Sequence, residues 1–277
     1  VSDERSRDEA LQTMLLALCL EPGAEDELRT DPAAFARRFA VDERDARTLA
    51  TDGKRLPLYR RLVRGAIGGA VRDVLGPFVA RLETDAPGAF AACLDAFLAA
   101  GPSASRLRDV ARALFTASRD TLAADARVAP WLLEAADAIL TEHEVGAAPD
   151  VGETADGPDT ELALDRGLDF APSLALRRYT FAVPELDLDD LVQNAPPPAE
   201  RPAAWLLTRD RDDATSWREL TPAAAAFMAR ALAGDPLAAS MSAAIASGSG
   251  AAAAALQTEL TELLTELAAE GVLFGGR

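Results

Sequence analysis

The stretch Ala203–Pro236, AAWLLTRDRDDATSWRELTPAAAAFMARALAGDP, decides how the second half of this chain folds. It opens on the apolar run Trp205-Leu206-Leu207 and passes through RDRDDAT. A second short run follows, holding Trp217 and Leu220. Short apolar runs with aromatic residues, separated by turn-forming aspartates, predict strand, turn, strand. Thr221-Pro222 then supplies a capping hydroxyl and a proline at the first helical position, which starts a helix.

Working outward, LALRRYTFAV (174–183) alternates in part and ends at Pro184, so it is a third strand. LDLDDLVQNAPPPAERP between them reads as a loop, because three consecutive prolines exclude a central strand there. Downstream, Phe227, Met228, Ala231 and Leu232 mark a helix that Gly234 ends. A second helix starts near Pro236, with Leu237, Met241 and Ile245 at one-turn spacing. After SGSG, a third carries Leu256, Leu260, Leu263, Leu264 and Leu267 on one face and Glu259, Glu262, Glu266 and Glu270 on another. Gly271 stops it, and VLFGG is a candidate last strand. Residues 170–277 thus read as a winged-helix-like domain, three strands followed by three helices.

Residues 1–145 read as an N-terminal helical bundle. Leu11, Met14, Leu15 and Leu18 make one apolar stripe. Thr30-Asp31-Pro32 starts a helix in which Phe35 and Phe39 lie one turn apart. Pro57 opens PLYRRLVRGAIGGAVRDVLGPF, whose Leu58, Leu62 and Ile67 are placed to face a core. Pro87-Gly88 and Pro130 open further helices. Between Glu142 and Asp169 the periodicity is lost. Nine acids stand there against one arginine, which supplies −8 of the net −17. An acidic flexible linker is expected over 146–169. The fold class is therefore mainly α with a small α+β part.

The charge opposes nucleic-acid binding, which draws its strength from Lys and Arg on phosphates. It likewise opposes anionic membranes. No run is long enough to span a bilayer, and VSDERSRDEA lacks an apolar signal core, so a cytoplasmic location is expected. Cys19 and Cys93 sit among apolar residues and read as buried free thiols. His143 is the only histidine, read as an exposed residue at a helix C-terminus. A multi-histidine metal centre cannot be built from this chain alone, and P-loop, GxGxxG, CxxC, HExxH and GxSxG motifs are missing. GSGAAAAALQ from Gly248 enters a helix but follows no strand, which argues against phosphate binding.

Arg177, Arg178, Arg209, Arg211 and Arg218 gather in the strand region. Two readings stand level. Charges on an edge strand discourage self-pairing. Alternatively, an acidic peptide adds a strand there, with the last helix lining a groove.

The chain resembles the partner subunits of multinuclear non-haem iron-dependent oxidases that modify ribosomally made peptides, the methanobactin-type and thiaglutamate-type heterodimers. The likeness rests on DPAAFARRFAVDERDARTLA, RLPLYRRLVRGAI and FVARL in the first domain. In the second it rests on LALRRYTFAVPEL, AAWLLTRDRDDATSWREL and the helices ending LLTELAAEGVLF. The end region is also similar to the PqqD-type peptide-recognition fold, a winged helix that captures leader peptides. The resemblance implies a non-catalytic subunit without a cofactor of its own. A separate TIM-barrel subunit would hold the iron and oxidise the precursor peptide. Docking is then expected around Tyr59, Arg60, Arg61 and Arg64. Leader binding is expected around Arg209, Ser216, Trp217, Arg218, Glu219 and Leu220, with Leu256, Leu260, Leu263 and Leu267. The alternative is a winged-helix DNA-binding transcriptional regulator. A recognition helix should be basic, but PLAASMSAAIAS carries no charge and the last helix is acidic. A stand-alone enzyme ranks third, for want of a nucleophile motif.

Overall fold

The computed structural model describes residues 2–21, 23–52, 56–101, 109–149, 163–193, 196–247 and 253–276. Two compact units divide the chain, Val1–Val128 and Ala129–Arg277. Helices dominate and the sheet part is small.

The first unit contains α1 (Ser2–Leu20), α2 (Ala24–Thr30), α3 (Pro32–Phe39), α4 (Glu43–Asp52), α5 (Leu56–Asp85), α6 (Ala89–Ala99) and α7 (Val110–Ala124). Local chemistry sets the starts. The Asp31 carboxylate accepts from the Ala34 N–H at 2.9 Å, with Pro32 at the first helical position of α3. Gly88, at φ 82°, turns the chain into α6. Met14, Leu18, Leu28 and Phe35 form a fully buried cluster, and the Phe35 and Phe39 rings lie 5.0 Å apart. Helix α5 bends at Leu75 (φ −102°, ψ 22°), two residues before Pro77, where the proline ring breaks the hydrogen-bond ladder. Both cysteines are free thiols, Cys93 buried and Cys19 half-buried.

In the first unit, three residues assigned to the core by spacing lie outside it. Leu15, Leu58 and Leu62 are exposed, the last by 58%. Met14 and Leu18 of the same α1 stripe are buried, so the core covers only part of that stripe. The glycine-rich turn at 248–252 lies outside the described residues.

The second unit begins with α8 (Pro130–Gly146), then β1 (Leu168–Phe170), β2 (Leu174–Phe181), a 3-10 turn (Val183–Glu185) and α9 (Leu188–Val192). It continues through β3 (Glu200–Arg209), β4 (Thr215–Leu220), α10 (Pro222–Leu232), α11 (Leu237–Ser247), α12 (Ala253–Ala269) and β5 (Leu273–Gly276). The three expected strands form one antiparallel sheet in the order β2-β3-β4. β1 and β5 pair separately. The segment read wholly as loop contains α9, capped by Asp187, whose side chain accepts from the Asp189 N–H. Pro202 is tolerated in β3 because it falls at the bulge opposite Tyr179/Phe181, beyond the part of β3 paired with β4.

The unit boundary falls at 128/129, earlier than the 145 expected from the helical run. Helix α8 belongs with the sheet. Tyr179 donates from its hydroxyl to Asp137 at 3.0 Å, and the Glu134 carboxylate accepts from the Thr180 and Phe181 N–H groups at 2.9 Å each. Thr215 reaches Glu142 at 3.2 Å. The register puts Tyr179, Trp205, Leu207 and Trp217 on the α8 side of the sheet. Ala204, Leu206 and Leu220 face the other way, into a core with Phe227, Met228, Leu256, Leu260, Leu263 and Leu267. The chain before β1 is also tied in: the Leu164 and Arg166 carbonyls accept from Ala238 and Leu237. The span 146–169 is thus structured at both ends, and residues 150–162 lie outside the described residues. Among the described residues no helix is long and apolar enough to cross a membrane.

Candidate functional site

Two hydrogen bonds fix the phase of the sheet ladders. Arg209 N–H donates to the Ser173 carbonyl and Asp210 N–H to the Ala214 carbonyl, each at 3.0 Å. In an antiparallel ladder, alternate residues turn both backbone groups toward the partner strand. On β4, therefore, Ser216, Arg218 and Leu220 bond inward to β3, while Thr215, Trp217 and Glu219 present their N–H and C=O outward. On β2 the outward residues are Leu174, Leu176 and Arg178. Neither outer edge meets another strand among the described residues.

Of the expected peptide-contacting residues, Ser216, Trp217, Arg218, Glu219 and Leu220 do form this open edge strand. Trp217 is half-buried on the α8 side, with its ring 6.1 Å from that of Tyr179. Leu220 is buried. Arg218 lies on the opposite face and is held by Glu266 and Glu270 of α12. Glu219 pairs with Arg201 at 3.1 Å. Arg209 stands apart. Its guanidinium side chain is only 10% exposed and donates to the Gly146 and Ala148 carbonyls, closing the C-terminal end of α8. Leu256, Leu260, Leu263 and Leu267 are buried in the unit's own core. The polar side of α12 approaches β4 instead: Glu266 and Glu270 hold Arg218, and Glu259 accepts from the Thr221 hydroxyl.

These ion pairs change the electrostatics expected from sequence. Arg177 is held by Asp137 (3.6 Å) and the Thr141 hydroxyl (3.2 Å). Arg201 is held by Glu185 and Glu219. The arginines that looked available are largely matched by acids of the same unit. The Glu spacing on α12 was visible in the sequence, but it read as a solvent face because the partner across it was not.

In the first unit, Arg60 is structural. Its Nε donates to the Leu18 carbonyl at 2.6 Å and its Nη1 lies 3.2 Å from Glu25. Arg64 pairs with Asp95. Tyr59 and Arg61 are exposed. Beside them Leu58 and Leu62 of α5 are exposed, as are Leu15 and Leu16 of the adjoining α1. The exposure of these positions was missed because regular spacing reads equally as a buried stripe.

His143 is half-buried rather than exposed, and its Nε2 is buried without a hydrogen-bond partner. Among the described residues no group of three or more His, Cys, Asp or Glu side chains is placed to hold a metal ion. Helix α11 presents no charged side chain at all. The chain matches no protein-family model, and no curated protein is significantly similar to it.

Proposed function

We propose that this chain is a non-catalytic partner subunit that docks on a multinuclear iron oxidase and holds the leader of a ribosomally made precursor peptide. The observation that carries the reading is the outer edge of β4, where Thr215, Trp217 and Glu219 turn unpaired backbone groups outward. An extended peptide adds to such an edge through main-chain hydrogen bonds, and flanking side chains choose the sequence. The flanking groups here are Trp217 on one face and Glu259, Glu266 and Glu270 of α12 on the other. That surround favours a segment carrying Lys or Arg, the reverse of the acidic peptide suggested by the arginine count.

The exposed apolar residues Leu15 and Leu16 of α1 and Leu58, Tyr59 and Leu62 of α5 are the proposed dock for the barrel subunit. A winged-helix arrangement of β2–β4 and α10–α12 belongs to the same proposal. The test is co-expression with any iron-oxidase subunit found encoded beside this chain. An iron-containing complex should co-elute, and Leu58→Glu with Leu62→Glu should dissolve it. A protein that elutes alone with every neighbouring oxidase, and binds no neighbouring peptide, would end this reading.

A further inference from the structure

We infer that the opposite edge of the sheet, along β2, is a second strand-accepting site, suited to an extended peptide with apolar alternate residues and a carboxylate at one end. A groove of about 610 Å³ runs along this edge. Its floor is Leu174, Ala175, Leu176 and Arg177 of β2, and no β3 residue lines it, so it lies outside the sheet. One wall is Thr141, Glu144 and Val145 near the end of α8, and the other is Ala229 and Leu232 of α10 with Ala233 just after it.

Main-chain groups are available on that floor. Leu174, Leu176 and Arg178 direct theirs outward. The outward N–H of Thr180 is already held by Glu134, so the accepting run ends at Arg178. The Leu176 carbonyl receives Arg177 Nη1 at 3.1 Å, a side chain that must step aside for a strand.

Side-chain chemistry then sets the occupant. Leu174 and Leu176 share the α10 side, where Leu232 is 37% exposed, so peptide residues on that side are apolar. Arg178, exposed on the same side two residues further along, has no ion-pair partner among the described residues. It calls for a carboxylate. Glu144 on the α8 wall disfavours acids on the other side. The β2 edge thus takes the opposite charge from the β4 edge. The inference does not rest on the β4 reading.

The test uses the full chain and a fluorescein-labelled synthetic peptide that alternates valine and threonine, with a single glutamate replacing the last valine so that it shares the valine face. Binding is followed by polarisation and mapped by amide exchange. The expected result is protection of the Leu174, Leu176 and Arg178 amides. Leu232→Glu and Arg178→Glu should each weaken binding about tenfold or more, roughly the worth of one apolar or charged anchor. Arg178→Glu should in turn bind the same peptide with lysine in place of that glutamate, an exchange that mere structural damage would not produce. Four results overturn the proposal: no binding at millimolar peptide, equal binding to Leu232→Glu, protection of Trp217 and Glu219 instead, or a peptide-free dimer that Leu232→Glu dissociates. The last would make a second copy of the chain the occupant. Protection confined to β2 with no partner oxidase found would uphold this site while the proposed function failed.

Discussion

Tyr179 is 5% exposed, and its hydroxyl donates to Asp137 across the junction of α8 and β2. Burial, reinforced by the Asp137 charge, pushes its phenol far above the ordinary tyrosine range. Tyr179→Phe removes a bond to a charged acceptor and should destabilise the second unit by about 1–2 kcal/mol in urea unfolding. An unchanged midpoint would show that the bond contributes nothing net. Asp125 offers a pH readout in the first unit. Side-chain hydrogen bonds from Arg127 (3.0 and 2.6 Å), with that residue's backbone N–H, lower its carboxyl pKa to about 2. The unfolded value is about 3.9, so the folded state holds the proton less tightly. The stabilising contribution is therefore complete above the unfolded value and lost as pH falls through about 2. A carboxyl NMR titration of Asp125 should show that low midpoint, and Arg127→Gln should move it back up. At this scale the sequence reading and the structure part company over arginine. Arg209, Arg177 and Arg218 were legible as charges, but not as a helix cap, a core-edge anchor and a strand-to-helix pair.

Elements were more legible, because their ends are set by neighbours in the chain. Asp31-Pro32, Thr221-Pro222, Gly88 and Gly271 all mark the termini read from them. Gly271 leaves α12 at φ 77°, with Val272 N–H donating back to the Leu267 carbonyl at 2.8 Å. A Cβ there would also come within 2.7 Å of Arg211 Nε, though that side chain can swing away. Gly271→Ala should thus cost about 1–2 kcal/mol, mostly from the left-handed backbone, and Gly271→Asn less. Equal thermal midpoints for glycine and alanine would contradict this. Burial was less legible than type. Leu58 and Leu62 have core spacing yet face outward, because an unpartnered apolar face and a buried one share the same period.

For the whole molecule, the division after Val128 carries the clearest prediction. A fragment spanning 129–277 should unfold cooperatively in urea, with near-ultraviolet signal from its tryptophans. A fragment starting at 146 should not, since Tyr179, Trp205 and Leu207 lose the helix that covers their side of the sheet. A cooperative transition in the shorter fragment would return α8 to the first domain. Sequence by itself determined the helix ends marked by Asp31-Pro32, Gly88, Thr221-Pro222 and Gly271, the three strands with their turn, the predominance of helix and the negative charge. Capping groups, prolines, glycines and short periodicities act within a few residues, so one stretch suffices to read them. Only the tertiary structure decided that α8 covers the sheet, which sheet edges stay open, and which arginines keep their charge available. Each depends on pairings across tens of residues, as between Asp137 and Tyr179 or Arg218 and Glu266, and no local pattern specifies those.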